Sequence, residues 1–411
     1  MKIGILTYHC VPNFGAQLQA TSTVGYLRRM GHEPVLLHWY PSDLQEMYSV
    51  RVPREQAMVQ MDYAEKSLPV SALCRTTDEL VKVIDTLNLD GVICGSDALF
   101  KFVPQKCRKY FLIKKRKFRK VNVLSVEDMK DNPFFGGFAS LLQKKIPVVA
   151  FSVSSQNAAF KKMNSLERST LKDAMDNFAC ISTRDEWTRQ MVEFLTGRGR
   201  QVDITPDPVF AFNENCGSVV PSREEILAKY GIPENYVLFS FNTKYATADW
   251  VDPLAEAFRN RGLTPVAFPM PERLQTFNME TSVPLPLSPL DWYALIKYSR
   301  GYVGERMHPV VVCLHNAVPF FAFDEYGVVE NRMWGLWTRF RVASSKTYHI
   351  LNEAGFLKNW CSYLDGLPLP SAETVVDAVL SFDKAKCENF ARKCFELYSR
   401  GMEKCIKEIC C

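Results

Sequence analysis

Short apolar runs alternate with helical patterns along the whole chain, and this alternation constrains the fold more than any other feature. The first run, Ile3–Tyr8, is followed by an amphipathic pattern over Gly15–Met30 and by a second run at Pro34–Trp39. Strands that alternate with helices in this way are typical of parallel sheets that are covered by helices. The sequence therefore predicts an α/β protein.

The length of 411 residues is more than one hydrophobic core usually supports. A stretch rich in Asn, Gly, Ser and Pro, Asn213–Pro221, interrupts the alternation near the middle of the chain. We therefore expect an N-terminal domain over residues 1–215, with a polar, irregular insertion or lid at about 41–75. A C-terminal domain is expected over residues 216–383, and a last helix over residues 384–411 that is long enough to return to the first domain.

The second half repeats the pattern, with apolar runs at Tyr236–Phe241, Tyr302–Gly304 and Phe320–Phe323 and a helical pattern at Glu330–Trp337. The prediction is thus two Rossmann-like domains that face each other across a cleft. Ligands of such sheets bind outside the carboxyl ends of the strands. The residues that follow the strands are therefore the ones to search for a site.

Composition narrows the class of protein. The net charge of +5 is a mild basic excess that does not indicate a nucleic-acid partner. The 13 cysteines are scattered, with no Cys-x-x-Cys and no Cys/His metal spacing, which favours reduced thiols and no metal cofactor. The N-terminal residues do not resemble a signal peptide, and no apolar run is long enough to span a membrane. We expect a cytoplasmic protein, and we assign no role to Cys410-Cys411.

Arg306-Met307-His308-Pro309 follows one of the buried runs and precedes an apolar helix. Proline is favoured at the first helical position, so Arg306 and His308 are expected beside a helix N-terminus. Free N–H groups at such a terminus attract anions, and an Arg with a titratable imidazole suits phosphate or carboxylate chemistry. The alternative is an ordinary surface or ion-pair role for both residues.

Two further loops follow strands of the first half. Asn13-Phe14-Gly15-Ala16-Gln17-Leu18-Gln19 joins the first strand to the first helix, where Gly15 lets the backbone approach a ligand. Its alternative is a plain helix start, and the absence of G-x-G-x-x-G disfavours a dinucleotide. Gly95-Ser96-Asp97 is a small polar loop that suits a substrate hydroxyl, with an Asp helix cap as the alternative.

Arg184 comes directly after the run Ala179–Thr183 and is followed by Asp185 and Glu186. Arginine suits bidentate binding of carboxylate or phosphate, but a local ion pair with either acidic neighbour is the alternative. For Asp207-Pro208 we favour a structural role at the hinge between the domains.

The run Lys114–Lys120 is densely basic. Such runs are usually solvated faces. The functional alternative is attraction to anionic lipid or to a diphosphate.

Together, these elements resemble those of the polysaccharide pyruvyl transferase family. The family's N-x-G-A-x-L-Q element matches Asn13–Gln19, its G-S-D loop matches Gly95–Asp97, and its S-x-R-[DE] element matches Ser182–Asp185. A D-P element matches Asp207-Pro208, and an R-x-H element before an apolar helix matches Glu305–Pro309. The five elements occur in the family's order.

The resemblance implies a fold similar to that of GT-B glycosyltransferases. It also implies transfer of pyruvate from phosphoenolpyruvate, as co-substrate, onto two hydroxyls of a sugar, which gives a cyclic ketal without another cofactor. On this hypothesis Arg306, from the C-terminal domain, and Arg184, from the facing N-terminal domain, bind the donor anions. His308 is the acid–base group or stabilises the leaving phosphate.

The acceptor is expected on the N-terminal side, near Asn13, Gln17, Ser96 and Asp97. The family's usual setting and the basic run suggest a saccharide acceptor linked to a lipid diphosphate, with peripheral contact at the inner membrane face. Two rival interpretations remain: a GT-B glycosyltransferase that uses a nucleotide sugar, and a non-catalytic saccharide-binding homologue.

The sequence departs from the family pattern at two places. Pro309 replaces the glycine that often follows the histidine. The Asp-x-Lys pattern expected after the next strand is missing, since Asp324-Glu325-Tyr326-Gly327 contains no lysine. Lys346 is a loose candidate to replace it.

Overall fold

The computed structural model describes residues 1–112, 117–120, 125–197, 199–241, 245–325, 328–332, 337–341, 345–364 and 368–410. The described strands, in chain order, are β1 (Lys2–Leu6), β2 (Glu33–Leu36), β3 (Gly91–Asp97), β4 (Lys109–Leu112), β5 (Lys117–Lys120), β6 (Val148–Val153), β7 (Phe178–Thr183), β8 (Val202–Ile204), β9 (Tyr236–Ser240), β10 (Thr264–Ala267), β11 (Thr281–Ser282), β12 (Gly301–Glu305), β13 (Phe320–Asp324), β14 (Val328–Arg332), β15 (Trp337–Arg341) and β16 (Trp360–Ser362).

The described helices alternate with these strands along most of the chain. In chain order they are α1 (Phe14–Arg29), α2 (Ser42–Arg51), α3 (Arg54–Ser67), α4 (Thr77–Leu87), α5 (Ser165–Met175), α6 (Glu186–Thr196), α7 (Phe212–Cys216), α8 (Arg223–Tyr230), α9 (Ala248–Arg259), α10 (Pro289–Lys297), α11 (Met307–His315), α12 (Lys346–Ala354), α13 (Ala372–Leu380) and α14 (Lys384–Cys410).

Two parallel six-stranded sheets form the frame of the molecule. The first has the order β2-β1-β3-β6-β7-β8 and the second has the order β11-β10-β9-β12-β13-β16. Successive residues of a strand point to opposite faces. Val92 and Ile93 of β3 accordingly belong to two different hydrophobic cores, one on each face of the first sheet. The predicted α/β fold with two sheets is confirmed.

The last helix, α14, contacts both halves of the chain. Its first part, with Cys387 and Phe390, belongs to the core of the second sheet. Further along, the Tyr398 ring lies 5.6 Å from the Phe151 ring of β6, measured between centroids, and Ile409 packs against Gly91 of β3. The helix thus ties the two halves together.

The segment 41–75 is not irregular, which corrects the sequence analysis. It contains the helices α2 and α3. Its polar composition was misleading because some of the polar side chains are buried and hydrogen-bonded. Gln56 bonds to the main chain of Leu287, and Gln60 bonds to Gln17.

The expectation of a helix at Glu330–Trp337 is wrong. The described residues there are the antiparallel strands β14 and β15, in which Val328 pairs with Arg341 and Arg332 with Trp337. β-branched and aromatic residues near both ends of the segment favour strands, and this preference outweighs the weak helical spacing. In the described part of the chain, no helix has both the length and the apolar character needed to cross a membrane.

Candidate active site

A cavity of about 470 Å³ opens where the carboxyl ends of the two sheets face each other. Residues that follow strands of both sheets line it, as expected for parallel sheets. Asn13 and Asp97 come from the first half, and Arg306, His308 and Lys346 come from the second. The two halves therefore contribute polar side chains to one space.

Arg306 occupies the turn between β12 and α11. Its φ of 78° and ψ of 147° are rare for a residue with a side chain, and such a conformation costs about 1–3 kcal/mol. The helix begins at Met307. Pro309 is therefore its third residue, whereas the sequence analysis placed it first. Proline is still tolerated there, because N–H groups of the first turn have no partner within the helix. The Arg306 guanidinium lies 3.6 Å from the Glu272 carboxylate and is 35% exposed.

His308 sits against the N-terminus of α1 from the opposite half. A Cβ placed on Gly15 would lie 2.0 Å from His308 Cγ and 2.1 Å from Nδ1, far inside van der Waals contact. Gly15 therefore has a steric purpose, since it leaves the room that the imidazole occupies. The structure thus brings the elements Asn13–Gln19 and Glu305–Pro309 into contact.

The buried environment of His308 favours its neutral form. Burial is the main influence that lowers its pKa, and Arg184 and Lys346 act in the same direction. The carboxylates of Asp207 and Asp97 oppose them. The Nε2 atom lies 3.8 Å from Asp207 Oδ2 and has no hydrogen-bond partner within the described structure. A neutral imidazole with a carboxylate behind it is able to accept a proton and to carry the resulting charge.

Asp207 connects the two halves below the cavity. Its Oδ2 accepts hydrogen bonds from Arg184 Nη1 and from Gln19 Nε2, and its Oδ1 accepts one from the backbone N–H of Val209. The last bond is the structural role that the sequence suggested. Its proximity to His308 was missed, since nothing in the local sequence indicates a partner from the second sheet.

Arg184 is held by Asp207 and by Asp97, whose Oδ1 lies 3.4 Å from Nη2. These partners differ from the local pair considered above, because Asp185 caps α6 and Glu186 pairs with Arg189. Arg184 is not among the described residues that line the 470 Å³ cavity. Direct binding of a donor anion by Arg184 remains a prediction. In the structure, its guanidinium contacts Asp207 and Asp97 and so positions these two carboxylates.

The four residues expected on the acceptor side divide into two pairs. Asn13 and Asp97 line the cavity. Ser96 is buried and donates to the Ser152 carbonyl at 2.7 Å. The Gln17 amide donates to the main-chain oxygen of Gln60 at 2.7 Å and packs in the interior. The structure gives Ser96 and Gln17 internal hydrogen bonds and no place on the described cavity wall.

Lys346 reaches the cavity although it is distant in sequence from the other residues. It is the first residue of α12, and the capping residue Ser345 donates a hydrogen bond to Asp324 at the end of β13. Burial lowers the pKa of Lys346 to about 8, with Arg184 acting in the same direction and Asp97 against it. Asp324 thus helps to position Lys346, and the replacement of the family's lysine by Lys346 stays a prediction.

A second polar group on the wall was not foreseen. Tyr8 donates a hydrogen bond to Glu127, and Lys101 Nζ lies 2.8 Å from Glu127 and 2.9 Å from Asp128. The carboxylates come from the long connection between β3 and β6, which carries no recognisable motif. The prediction for the nearby run Lys114–Lys120 falls outside what the structure describes, since residues 114–116 and the side chains of 117–120 are not described.

Comparison with known proteins gives a family and a fold. The family model described as polysaccharide pyruvyl transferase matches residues 13–325, which include every strand-end residue discussed above except Tyr8 and Lys346. No curated protein matches the chain.

Solved structures resemble the whole chain. UDP-GlcNAc 2-epimerase from Methanocaldococcus jannaschii has a TM-score of 0.52 and 11% identity, over 95% of this chain and 99% of that one. UGT89C1 from Arabidopsis thaliana also has a TM-score of 0.52, with 12% identity over 100% and 99% of the two chains. At such low identity the likeness concerns the fold alone, and it supports the two-domain GT-B-like arrangement.

Proposed function

The chain belongs to the polysaccharide pyruvyl transferase family, and from this membership we propose that it transfers pyruvate from phosphoenolpyruvate onto two hydroxyls of a sugar. The observation that carries the proposal is the convergence of His308, Lys346 and Arg306 with Asp97 in one cavity. This set combines anion-binding cations with groups that exchange protons near neutral pH.

The donor carries a phosphate and a carboxylate, and both need positive partners. Arg306 and Lys346 line the cavity beside the N-terminus of α11 and supply these charges. Arg184 acts from behind, because its guanidinium fixes Asp97 and Asp207 around His308. We therefore propose that Arg184 is a positioning residue, in place of the direct contact expected from the sequence.

The reaction needs two proton movements that balance. One acceptor hydroxyl adds its oxygen to the central carbon of the donor and loses its proton, while the methylene carbon gains a proton and becomes a methyl group. Phosphate then leaves with the electrons of its C–O bond and takes up a proton. The second hydroxyl adds to the same carbon and loses its proton. The products are a pyruvyl ketal and inorganic phosphate.

His308 and Lys346 suit the first of these movements, in which a hydroxyl loses a proton and the methylene carbon gains one. The imidazole, held neutral by burial, is the proposed acceptor of the hydroxyl proton, and Asp207 stabilises the imidazolium that forms. Lys346, with a pKa of about 8, carries a proton at neutral pH and is the proposed donor to the methylene carbon. Asp97 lies close enough to both to influence their pKa values.

The sugar is proposed to lie between Asn13, Asp97 and the group formed by Tyr8, Glu127 and Lys101. Carboxylates and a phenol are suitable hydrogen-bond partners for sugar hydroxyls. The acceptor belongs to a surface polysaccharide or to its lipid-linked precursor. On the second option, the run Lys114–Lys120 favours peripheral contact with the cytoplasmic membrane face.

The test is a product assay with sugar acceptors and either phosphoenolpyruvate or a panel of nucleotide sugars. Mass spectrometry should show a pyruvyl adduct and release of one phosphate with phosphoenolpyruvate alone. Transfer of a sugar from a nucleotide sugar would support the GT-B glycosyltransferase alternative. Acceptor binding without phosphate release would support a saccharide-binding protein. Either of these last two results would overturn the proposal.

A further inference from the structure

Three potential metal ligands meet at the edge of the first sheet, away from His308. His9 and Cys10 follow β1, and His38 follows the neighbouring strand β2. Each offers one ligand atom, and the three atoms lie within 4.8 Å of one another. The sequence did not reveal the cluster, because parallel pairing of β1 with β2 joins residues with no metal-binding spacing.

His9 is oriented as a metal ligand would be. Its ring is fully buried, and Nδ1 lies 3.2 Å from the Thr7 carbonyl oxygen. A carbonyl only accepts, so this hydrogen bond places the ring proton on Nδ1 and leaves a lone pair on Nε2. The Nε2 atom is buried and has no hydrogen-bond partner in the described structure. A ligating histidine typically donates its other ring N–H to a backbone carbonyl in this manner.

The other two side chains complete the cluster from adjacent segments. Cys10 is 4% exposed, and its Sγ makes a long contact of 3.9 Å with the Trp39 carbonyl oxygen. The His38 ring is half-buried and lies 5.2 Å from the His9 ring, measured between centroids. The main chain of His38 is fixed by hydrogen bonds with Ser71 and Cys74.

We propose that His9, Cys10 and His38 bind one zinc ion. One thiolate with two imidazoles is a set that zinc favours, and three protein ligands leave the fourth tetrahedral position for water. Ideal zinc bonds place such ligand atoms about 3.4–3.6 Å apart. Because the three atoms lie within 4.8 Å of one another, zinc binding needs them to approach by up to about 1.3 Å, and the proposal assigns this movement to the half-buried His38 ring.

Binding changes one protonation state in the cluster. Burial raises the pKa of the Cys10 thiol, so the sulfur carries a proton until the metal displaces it into solvent. The Glu65 carboxylate is near enough to His38 to favour positive charge there, which adds a negative potential beside the cation. A zinc ion with one thiolate and two neutral imidazoles carries one net positive charge, which the Glu65 carboxylate partly offsets.

A metal ion at this site would fix the loop that begins the cavity wall. Cys10 is followed by Val11, Pro12 and Asn13, which line the cavity, and the His9 carbonyl accepts a hydrogen bond from Gln17 of α1. A zinc ion that joins this loop to the residue after β2 therefore holds Asn13 in place. The metal is assigned a structural task, and its binding does not depend on the proposed reaction.

The experiment measures zinc in the full-length chain after its affinity tag has been removed. Inductively coupled plasma mass spectrometry should find one zinc per chain in the wild type and should find it lost in Cys10→Ser and His38→Gln. His32→Gln, directly before β2, and Cys94→Ser, a buried thiol in β3, serve as matched controls and should keep the zinc.

Cobalt substitution identifies the ligands directly. The wild-type protein should show a thiolate-to-cobalt charge-transfer band that disappears in Cys10→Ser. His38 is half-buried, so its variant is expected to fold, which circular dichroism checks. The inference is overturned if the folded wild type neither retains zinc nor binds it on titration, or if both ligand variants keep it.

Discussion

At the scale of single residues, Gly15 is the position at which one methyl group should matter most. Gly15→Ala places a Cβ where the His308 ring lies, so the ring must move. A displacement of about 1 Å in a catalytic group can lower kcat about 100-fold. We expect such a loss of pyruvyl transfer, with little further loss when His308→Ala is added.

Gly217→Ala is the matched control for this prediction, because a Cβ there meets no atom within 4 Å and the φ of −56° suits any residue. It should keep the wild-type rate. A Gly15→Ala variant as active as Gly217→Ala would show that the position of His308 does not matter.

The buried charge of Lys346 should lower the free energy of unfolding of the chain. Its pKa in the folded chain is about 8 against an ordinary 10.5, so folding disfavours its charge. The unfolded chain therefore binds more protons between pH 8 and pH 10.5, and stability rises with pH through that window. Lys346→Met should raise the free energy of unfolding by about 1–3 kcal/mol at pH 7, after allowance for partial solvent screening.

Denaturation with urea at a series of pH values checks this. The gain should shrink from pH 8 upwards and vanish above pH 10.5, where both states hold a neutral amine. The exposed Lys358→Met variant should show no such trend. A Lys346→Met variant that is less stable than the wild type at pH 7 would contradict the assignment.

The same lysine should set the alkaline limit of the reaction. If Lys346 donates the proton to the methylene carbon, the rate should fall as the pH rises through about 8, the value of its pKa. In Lys346→Arg the positive charge persists, but a guanidinium does not release its proton, so pyruvyl transfer should fall strongly at every pH. A Lys346→Arg variant with the wild-type rate and alkaline limb would assign the proton transfer to another group.

At the scale of helices and strands, Gln56 of α3 connects the segment 41–75 to the second half. Its amide donates to the Leu287 carbonyl at 2.9 Å and accepts from the Leu287 N–H at 2.7 Å. Gln56→Ala leaves both main-chain groups buried without a partner, which should cost about 1–3 kcal/mol. Urea denaturation should show this loss, while Met58→Ala, exposed on the same helix, should be close to neutral.

Strand positions and strand ends were the predictable part of the structure. Apolar runs located the strands of both sheets, and the rule for parallel sheets led to Arg306, His308, Asn13 and Asp97, which line the cavity. The position of a residue in a motif does not show which way its side chain points. Gln17 was therefore assigned to the acceptor, although its amide points into the interior.

The remaining site residues depend on contacts that are distant in sequence. Asp207 and Lys346 meet His308 only after the two sheets have packed together. Glu127 lies in a connection without a motif, and its pairing with Tyr8 follows from the path of that connection. No local sequence pattern predicts such long-range contacts. The cluster of His9, Cys10 and His38 was missed for the same reason.

At the scale of the whole molecule, the two sheets carry different parts of the proposed site. The first supplies the groups proposed for the sugar, and the second supplies the cations proposed for the donor and the imidazole. Gly15 against His308, Asp207 near His308 and the helix α14 across both cores keep the two sets in register. The fold resembles those of a UDP-GlcNAc 2-epimerase and of UGT89C1, so the chemistry rests on these residues rather than on the architecture.

The most direct test of the central claim is a crystal structure of this chain soaked with phosphoenolpyruvate. The account predicts electron density for the phosphate and carboxylate beside Arg306, His308 and Lys346, and its loss in Arg306→Ala. Density at another place, or a nucleotide-sugar diphosphate that occupies this position while phosphoenolpyruvate does not, would contradict the account.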